Sequence, residues 1–316
     1  MSDSRVDALV TGEALVDIVD GVSIPGGSPL NVAIGLARAG SETVLHTALG
    51  RDVDGAMVHA HATASGVAVT PESMVSGATS RALVAVDAGG APEYRFDVTW
   101  DPAPVPPGLT ARLTHAGSIA IFMDPGASMT RTMLTDARGA VTSLDVNIRP
   151  ALIGSSASAR AIVDELVREV DIVKGSDEDL AWLYPGKTID EVLDGWVGDG
   201  ARLAVVTTGA RGALARTATA SIAVTAPSVA VVDTIGAGDA FMSGLLHATL
   251  GLAVEPGDIR AALDRAKAGG LRSLLTVAAR SASIAVSRRG ADPPWASELL
   301  DDGIEGSSST PRRGPE

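Results

Sequence analysis

Short runs of apolar and β-branched residues recur along the chain. Longer Ala-rich stretches separate them, with apolar positions returning every three to four residues. Residues 8–11, 43–48, 118–122, 141–145, 171–174, 203–207 and 229–232 read as strands. Residues 30–39, 53–64, 128–137, 159–168, 239–250 and 256–277 read as helices, the first with Leu30, Ala33, Ile34 and Ala37 on one face. Residues 80–87 and 93–98 are consecutive strand-like runs joined by Ala88-Gly89-Gly90, a hairpin signal in which glycine supplies positive φ. Repeated strand–helix units predict an α/β protein with a mostly parallel sheet and helices on both faces. The hairpin interrupts that rhythm and predicts a small β subdomain or lid. Residues 301–316 are polar, with Ser-Ser-Ser and Pro-Arg-Arg-Gly-Pro, and read as a disordered tail.

Composition narrows the class. The 316 residues are 46% hydrophobic, enough for a large buried core, and the net charge is −13. So acidic a chain repels phosphate backbones, which argues against nucleic acid as a main partner. Any phosphate bound here must be held by a local site working against the global field. There is no Cys, which removes disulfides, thiolate nucleophiles and Cys-ligated zinc together. The N-terminal residues lack a basic segment followed by an apolar one, and no uncharged apolar run reaches the roughly 18 residues of a membrane span. The expectation is a cytoplasmic protein with no membrane partner. The five His are scattered and read as ordinary residues rather than metal ligands.

Chemistry concentrates in two glycine-rich segments. In Asp233-Thr234-Ile235-Gly236-Ala237-Gly238-Asp239, an apolar run precedes and an amphipathic helix follows. The glycines let backbone approach a ligand, and the amides of Gly236, Ala237 and Gly238 fall at a helix N-terminus, where free N–H groups and the dipole attract anions. Asp239 is placed to accept a proton beside that anion, an arrangement suited to phosphoryl transfer. A Gly-rich strand-to-helix turn with an N-terminal Asp also occurs with no such role. The second segment is Pro25-Gly26-Gly27-Ser28-Pro29-Leu30-Asn31. Its glycines and helix-start Pro make a loop whose amides can face a ligand, and Asn31 offers the donor and acceptor that sugar hydroxyls need. It reads equally as an N-cap loop. Upstream, Asp17 is either an acceptor for sugar hydroxyls or a solvated strand-end carboxylate. No GxxxxGK[ST] is present, and no GxGxxG follows the first strand.

Together the two segments resemble the signatures of the ribokinase-like (PfkB) carbohydrate kinase family. Intermediate landmarks fall in order: Gly117-Ser118, Asp145-Val146-Asn147-Ile148-Arg149-Pro150, Lys174 to Asp179, Thr207 to Gly212, and Ala285 to Gly290. The resemblance covers roughly residues 5–296. It implies a three-layer α/β/α sandwich over residues 1–300, with a β lid formed from about 12–25 and 80–100. It implies an ATP-dependent sugar kinase in which Asp239 deprotonates the sugar hydroxyl and Gly236, Ala237 and Gly238 form the anion hole. Asp17, Gly27, Ser28 and Asn31 would hold the sugar, with Arg95, Asp124 and Arg149 as further candidates. Lys174, Ser176, Asp179, Thr207, Gly209, Gly212, Gly238 and Ala279 would serve ATP and Mg²⁺. Asp233 and backbone of Ile235, Ala285, Arg288 and Gly290 would hold a monovalent cation such as K⁺. A homodimer through the lid is a further expectation.

The departures from the family pattern bear on the substrate. The family's Asn-x-x-Glu is Ser176-x-x-Asp179 here, one methylene shorter at the carboxylate. Leu15 and Ser28 stand where a ribokinase proper carries Asn and Lys, which argues against ribose. The first-strand and Asp145–Pro150 segments look closer to the fructokinase and 2-keto-3-deoxygluconate kinase branches. Fructose or a similar neutral hexose is placed ahead of the keto-acid. A nucleoside kinase or a non-catalytic sugar sensor on the same fold ranks lower.

Overall fold

In the computed structural model, residues 5–19, 21–86, 92–137 and 139–300 are described, with side chains left aside at 84–95. The strands, in chain order, are β1 (Arg5–Thr11), β2 (Leu15–Val19), β3 (Val22–Gly26), β4 (Thr43–His46), β5 (Leu49–Gly50), β6 (Ala68–Val69), β7 (Met74–Val75), β8 (Arg81–Val86), β9 (Pro92–Asp97), β10 (Thr110–Gly117), β11 (Val141–Asp145), β12 (Ile172–Ser176), β13 (Leu203–Thr207), β14 (Ala213–Arg216) and β15 (Ser221–Val224). The helices are α1 (Ser28–Arg38), α2 (Val53–Ala64), α3 (Gly126–Thr135), α4 (Pro150–Ile153), α5 (Ser156–Val167), α6 (Asp177–Leu183), α7 (Ile189–Asp199), α8 (Ala237–Leu250), α9 (Pro256–Asp264), α10 (Ala268–Val286) and α11 (Ala296–Leu300).

A nine-stranded sheet runs β15-β14-β13-β12-β11-β10-β1-β4-β6. It is parallel from β13 to β6, with β14 and β15 added antiparallel at one edge. Alternate side chains of the parallel strands divide between two apolar layers. Leu113, Val141, Ile172 and Leu203 pack under α1, α8, α9 and α10. Ala116, Leu144, Val173 and Ala204 pack against α5, α6 and α7. Strand order reverses between β1 and β10, so the crevice beyond their C-terminal ends is the natural ligand position in such a sheet. From that crevice the chain leaves β1 to build a second sheet, β3-β2-β8-β9. There β2 pairs antiparallel with β3 and parallel with β8, and β8 pairs antiparallel with β9. The hairpin strands are as the sequence predicts; its Ala88–Gly90 turn, like the 301–316 tail, lies outside the described residues.

Several elements differ from the sequence reading. Residues 118–122 are not a strand: Ser118–Ile121 is a buried 3₁₀ turn following β10. A short apolar run looks alike in either state. The true strand β10 is interrupted by Arg112, Thr114 and His115, which hid it. Residues 229–232 form no strand; Val231 and Val232 are exposed, and the Val232 and Asp233 amides both bond the carbonyl of Val286. The single helix expected over 256–277 is two, α9 and α10, and the second continues to Val286. Between them the Ala266 carbonyl accepts the Thr219 hydroxyl, a tertiary contact with no local sequence mark. The β14–β15 hairpin was not anticipated.

Candidate active site

The two glycine-rich segments meet at the N-termini of α1 and α8. Gly236 caps α8 with φ 73°, and a Cβ there would lie 2.6 Å from that of Ala291, so both conformation and space demand glycine. The first intrahelical bond runs from Ala240 N to Gly236 O at 2.8 Å, leaving the amides of Gly238 and Asp239 ahead of it. The Ala237 amide is taken by Thr234 O at 3.2 Å, which leaves less of it for an anion than the sequence reading allots. Asp239 is buried, and its two oxygens accept the Ser28 hydroxyl at 2.7 Å and the Asn31 amide at 2.8 Å. Both donors stand on the first turn of α1. Gly27 caps that helix with φ 110°, and a Cβ there would strike the Glu13 carbonyl at 2.6 Å. The sequence reading gives Ser28 and Asn31 to the sugar; the structure gives their side chains to the carboxylate expected to act as base. The fixed donors orient that carboxylate beside the free amides.

Beside this pair lies a group of charges from the ends of β1, β2 and β11. The Asp17 carboxyl is half-buried on β2, and a Cβ on Gly26 would meet its Oδ2 at 2.2 Å. Burial raises its pKa, and Arg149 opposes the rise. Arg149 donates to Asn147 Oδ1 at 2.8 Å and to the Ile148 carbonyl at 3.0 Å. Glu13 is the residue that sequence reasoning passed over. It is buried, its Oε2 has no partner among the described residues, and burial pushes its pKa up to about 7. Ser118, Arg149 and the Ala120 amide oppose that rise. Its one sequence mark is its place directly after the first strand's glycine. Among the described residues, Ser118 (φ 54°) and Asn147 (φ 37°) are the non-glycine positive-φ residues, and both flank this group. Asp124 stands apart: it is exposed, 3.9 Å from Arg131, and no hydrogen bond or ion pair among the described residues joins it to Asp17, Asn31 or Asp239. Arg95 sits in register with Leu83 on the second sheet, and its side chain lies outside the described residues.

On the other side of Asp239 a cavity of about 490 Å³ is lined by Thr207, Gly209, Gly212, Gly238 and Ala279, five of the eight positions the sequence assigned to nucleotide. Alanines at 210, 226, 237 and 282 and the side chain of Phe241 complete much of the wall. Ser176 and Asp179 are not in it. They form a capping box at the start of α6: Asp179 accepts the amides of Ser176 at 2.7 Å and Ile148 at 2.8 Å, tying the Asn147–Arg149 loop to the helix. Lys174 is also outside the cavity wall, buried against Asp145, which receives its ammonium on both oxygens at 2.9 and 2.7 Å. Asp233 bridges two loops, accepting the amides of Ile235 at 3.0 Å and Gly290 at 2.9 Å, and these bonds hold its pKa below the usual range. Ala285 and Gly290 carbonyls accept the amides of Arg288 and Asp292.

A buried carboxylate between free helix-terminal amides, a nucleotide-sized cavity and a charged crevice defines a phosphotransferase acting on an alcohol. Residues 4–298 match the pfkB family of carbohydrate kinases, and the chain belongs to that family. A fructokinase from Rhizobium leguminosarum bv. trifolii is 32% identical over 255 residues, 75% of this chain and 78% of that protein. Among solved structures, a fructokinase with bound ATP from Xylella fastidiosa superposes with a TM-score of 0.80 at 26% identity, covering 93% of this chain and 97% of its own. A double-mutant fructokinase from Vibrio cholerae O395, in a form with fructose, ADP and potassium ion bound, gives 0.73 at 26% identity, covering 92% and 95%. The fold is accordingly ribokinase-like.

Proposed function

We propose that this carbohydrate kinase transfers the γ-phosphoryl group of ATP to a hydroxyl of fructose or a similar neutral hexose. The observation that carries the reading is Asp239, held between Ser28 and Asn31 at the open N-terminus of α8. ATP occupies the alanine-lined cavity with its phosphates toward Gly238. The sugar lies in the crevice, its hydroxyls accepted by Asp17. Asp239 takes the proton as the hydroxyl oxygen bonds the γ-phosphorus; the bond from phosphorus to the bridging oxygen breaks, and ADP leaves with that electron pair. The free amides of α8 absorb charge on the moving group. Among the described residues no cluster of three acidic or His side chains gathers, and both oxygens of Asp179 are already engaged. Mg²⁺ would arrive on the ATP phosphates and supply positive charge against theirs, and Asp179 is the carboxylate that would meet it through water. The Asp233 loop would take K⁺ on backbone carbonyls, ordering the turn before α8. The second sheet would act as a lid over the sugar and as the contact between two copies of the chain. No helix among the described residues is long and apolar enough to cross a membrane; the use of ATP as donor supports a cytoplasmic site of action.

Arg149 bears on the choice of sugar. A keto-acid would need a cation with charge to spare, yet the Asp17 carboxyl already draws on the charge of Arg149. That favours a neutral hexose over 2-keto-3-deoxygluconate. Ribose would leave hydroxyls unpaired against Leu15 and Ser28, at about 1–3 kcal/mol each. The test is kcat/KM for fructose, 2-keto-3-deoxygluconate and ribose at saturating ATP, read by ADP release. Fructose is expected to lead and ribose to trail by about two orders of magnitude or more. A lead for ribose would overturn the reading of Leu15 and Ser28. A lead for the keto-acid that Arg95→Ala abolishes would move the substrate to the other branch.

A further inference from the structure

The first turn of α1 holds the carboxylate of Asp239, and its last residue holds a different part of the site. Arg38 closes the helix with a side chain only 11% exposed. Its Nε donates to Ser65 Oγ at 3.1 Å, where α2 ends. Its Nη1 donates to Asp292 Oδ1 and, at 2.8 Å, to the Pro293 carbonyl. The guanidinium carbon lies 5.0 Å from the centre of the Trp295 ring. Three of these four partners belong to the segment that joins α10 to α11. That segment backs the N-terminus of α8. The Asp292 amide donates to the Gly290 carbonyl at 3.0 Å, and the Gly290 amide donates to Asp233 Oδ2 at 2.9 Å, in the turn that leads into α8. Between these bonds Ala291 lies against Gly236, the α8 cap, so closely that no side chain fits there. Gly35 of α1 keeps the same parts close: a Cβ on it would sit 2.2 Å from Ser243 Oγ on α8 and 3.4 Å from Pro293 Cβ. Arg288 also reaches Asp292, at 3.4 Å, but it belongs to the same segment and cannot tie it to α1. Stability is a poor account of the Arg38–Asp292 pair, because Asp292 is 42% exposed and ion pairs open to water add little.

We propose that Arg38 is a positioning residue for phosphoryl transfer: through Asp292 and Pro293 it fixes the 290–293 segment behind Gly236 and so aims the free amides of α8. This rests on the kinase reading and deepens it. Asp239 still takes the proton and the amides still meet the phosphoryl group; Arg38 exchanges no proton and is not part of the cavity wall. What it supplies is a common frame. Ser28 and Asn31 set the carboxylate from the first turn of α1, and Arg38 sets the amides from the last. One helix of eleven residues, about 16 Å long, thereby fixes base and anion site relative to each other. Transfer depends on that relation, since a misplacement of about 1 Å can cost about 10²-fold in rate.

The test is a double-mutant cycle on kcat. Arg38→Met keeps an apolar stem beside Trp295 and removes every donor; Asp292→Ala removes the acceptor. Arg38→Met should lower kcat about tenfold and leave KM for fructose within about twofold, because the crevice at Asp17 does not rest on this segment. Asp292→Ala should lower kcat as well, and the double variant should fall no further than Arg38→Met alone, as two changes to one contact do. A kcat for Arg38→Met within about twofold of the parent, or losses that multiply in the double variant, would overturn the proposal. Hydrogen exchange in the ligand-free chain needs no sugar and so separates this inference from the substrate assignment. The Gly290 and Ala240 amides, bonded to Asp233 and Gly236, should exchange about tenfold faster in Arg38→Met, while the Asn31 amide, bonded to Gly27 at the start of α1, keeps its rate. Equal acceleration at all three would assign Arg38 to the stability of the helix and sink the positioning role. If Arg38→Met does not fold, Asp292→Ala decides: an unchanged kcat with unchanged exchange at Gly290 would end the proposal.

Discussion

Replacing the Asp239 carboxylate by an amide keeps its shape and its place between Ser28 and Asn31 but removes the proton acceptor. Asp239→Asn should therefore lose at least about 10²-fold in kcat, the usual scale for a lost general base, with ATP affinity largely kept. Steady-state rates beside ATP calorimetry check this, and a near-normal kcat would unseat the base. Glu13 makes a different demand, on stability. Its carboxyl, lifted from 4.5 to about 7, keeps its proton in the folded chain where the unfolded chain has released it. The folded state thus loses stability as pH climbs through that interval, up to about 3 kcal/mol in all, and the loss is complete above it. Glu13→Gln should melt higher than the parent at pH 8, and the gap should close on going down to pH 4.5. A gap of constant size at both ends would mean that Glu13 does not titrate there.

Helices α1, α8 and α10 lie together over one face of the sheet, and small residues set their spacing. A Cβ on Gly244 of α8 would sit 2.9 Å from Ser281 Cβ and 3.0 Å from Ala278 Cα, both on α10. Gly244→Val forces the two helices apart and should cost about 1–3 kcal/mol, as overpacking does. Urea unfolding measures it, and an unchanged midpoint would show that the helices yield freely. At this scale the sequence was legible where local signals agree. The glycine-and-proline start of α1 and the two-run hairpin of the second sheet were read from pattern alone. It was illegible where a tertiary partner overrides the pattern. Strand β10 carries Arg112 in a buried sheet because Asp7 and the carbonyls of Leu250 and Ala253 take up the guanidinium. Residues 229–232 look like a strand, but the Val232 amide is taken by the Val286 carbonyl at the end of α10 rather than by a neighbouring strand.

Across the whole molecule, Asn31 and Asp239 lie 208 positions apart and still touch. Each motif announced its own chemistry. That the first motif's side chains would hold the base depended on α1 and α8 sharing one sheet face, which no local signal encodes. Glu13 escaped a role for the same reason, since its meaning lies in what the fold sets beside it. The two sheets meet where β1 ends, so a ligand in the crevice must brace one against the other. Hydrogen exchange should show it: fructose should slow exchange in Leu15–Val19 and Arg81–Val86 more than in Val141–Asp145. Bound fructose with no protection of the second sheet would remove its role as a lid. The cavity proposed for ATP, finally, is walled by alanine methyls at 210, 226, 237, 279 and 282. Such a wall can only be built inward, and one leucine in place of Ala279 would fill the donor's room while leaving Asp17, Asn31 and the crevice intact. The chain would then bind its sugar and hand it back unchanged, so a single side chain's bulk separates an enzyme that consumes its ligand from a receptor that reports it.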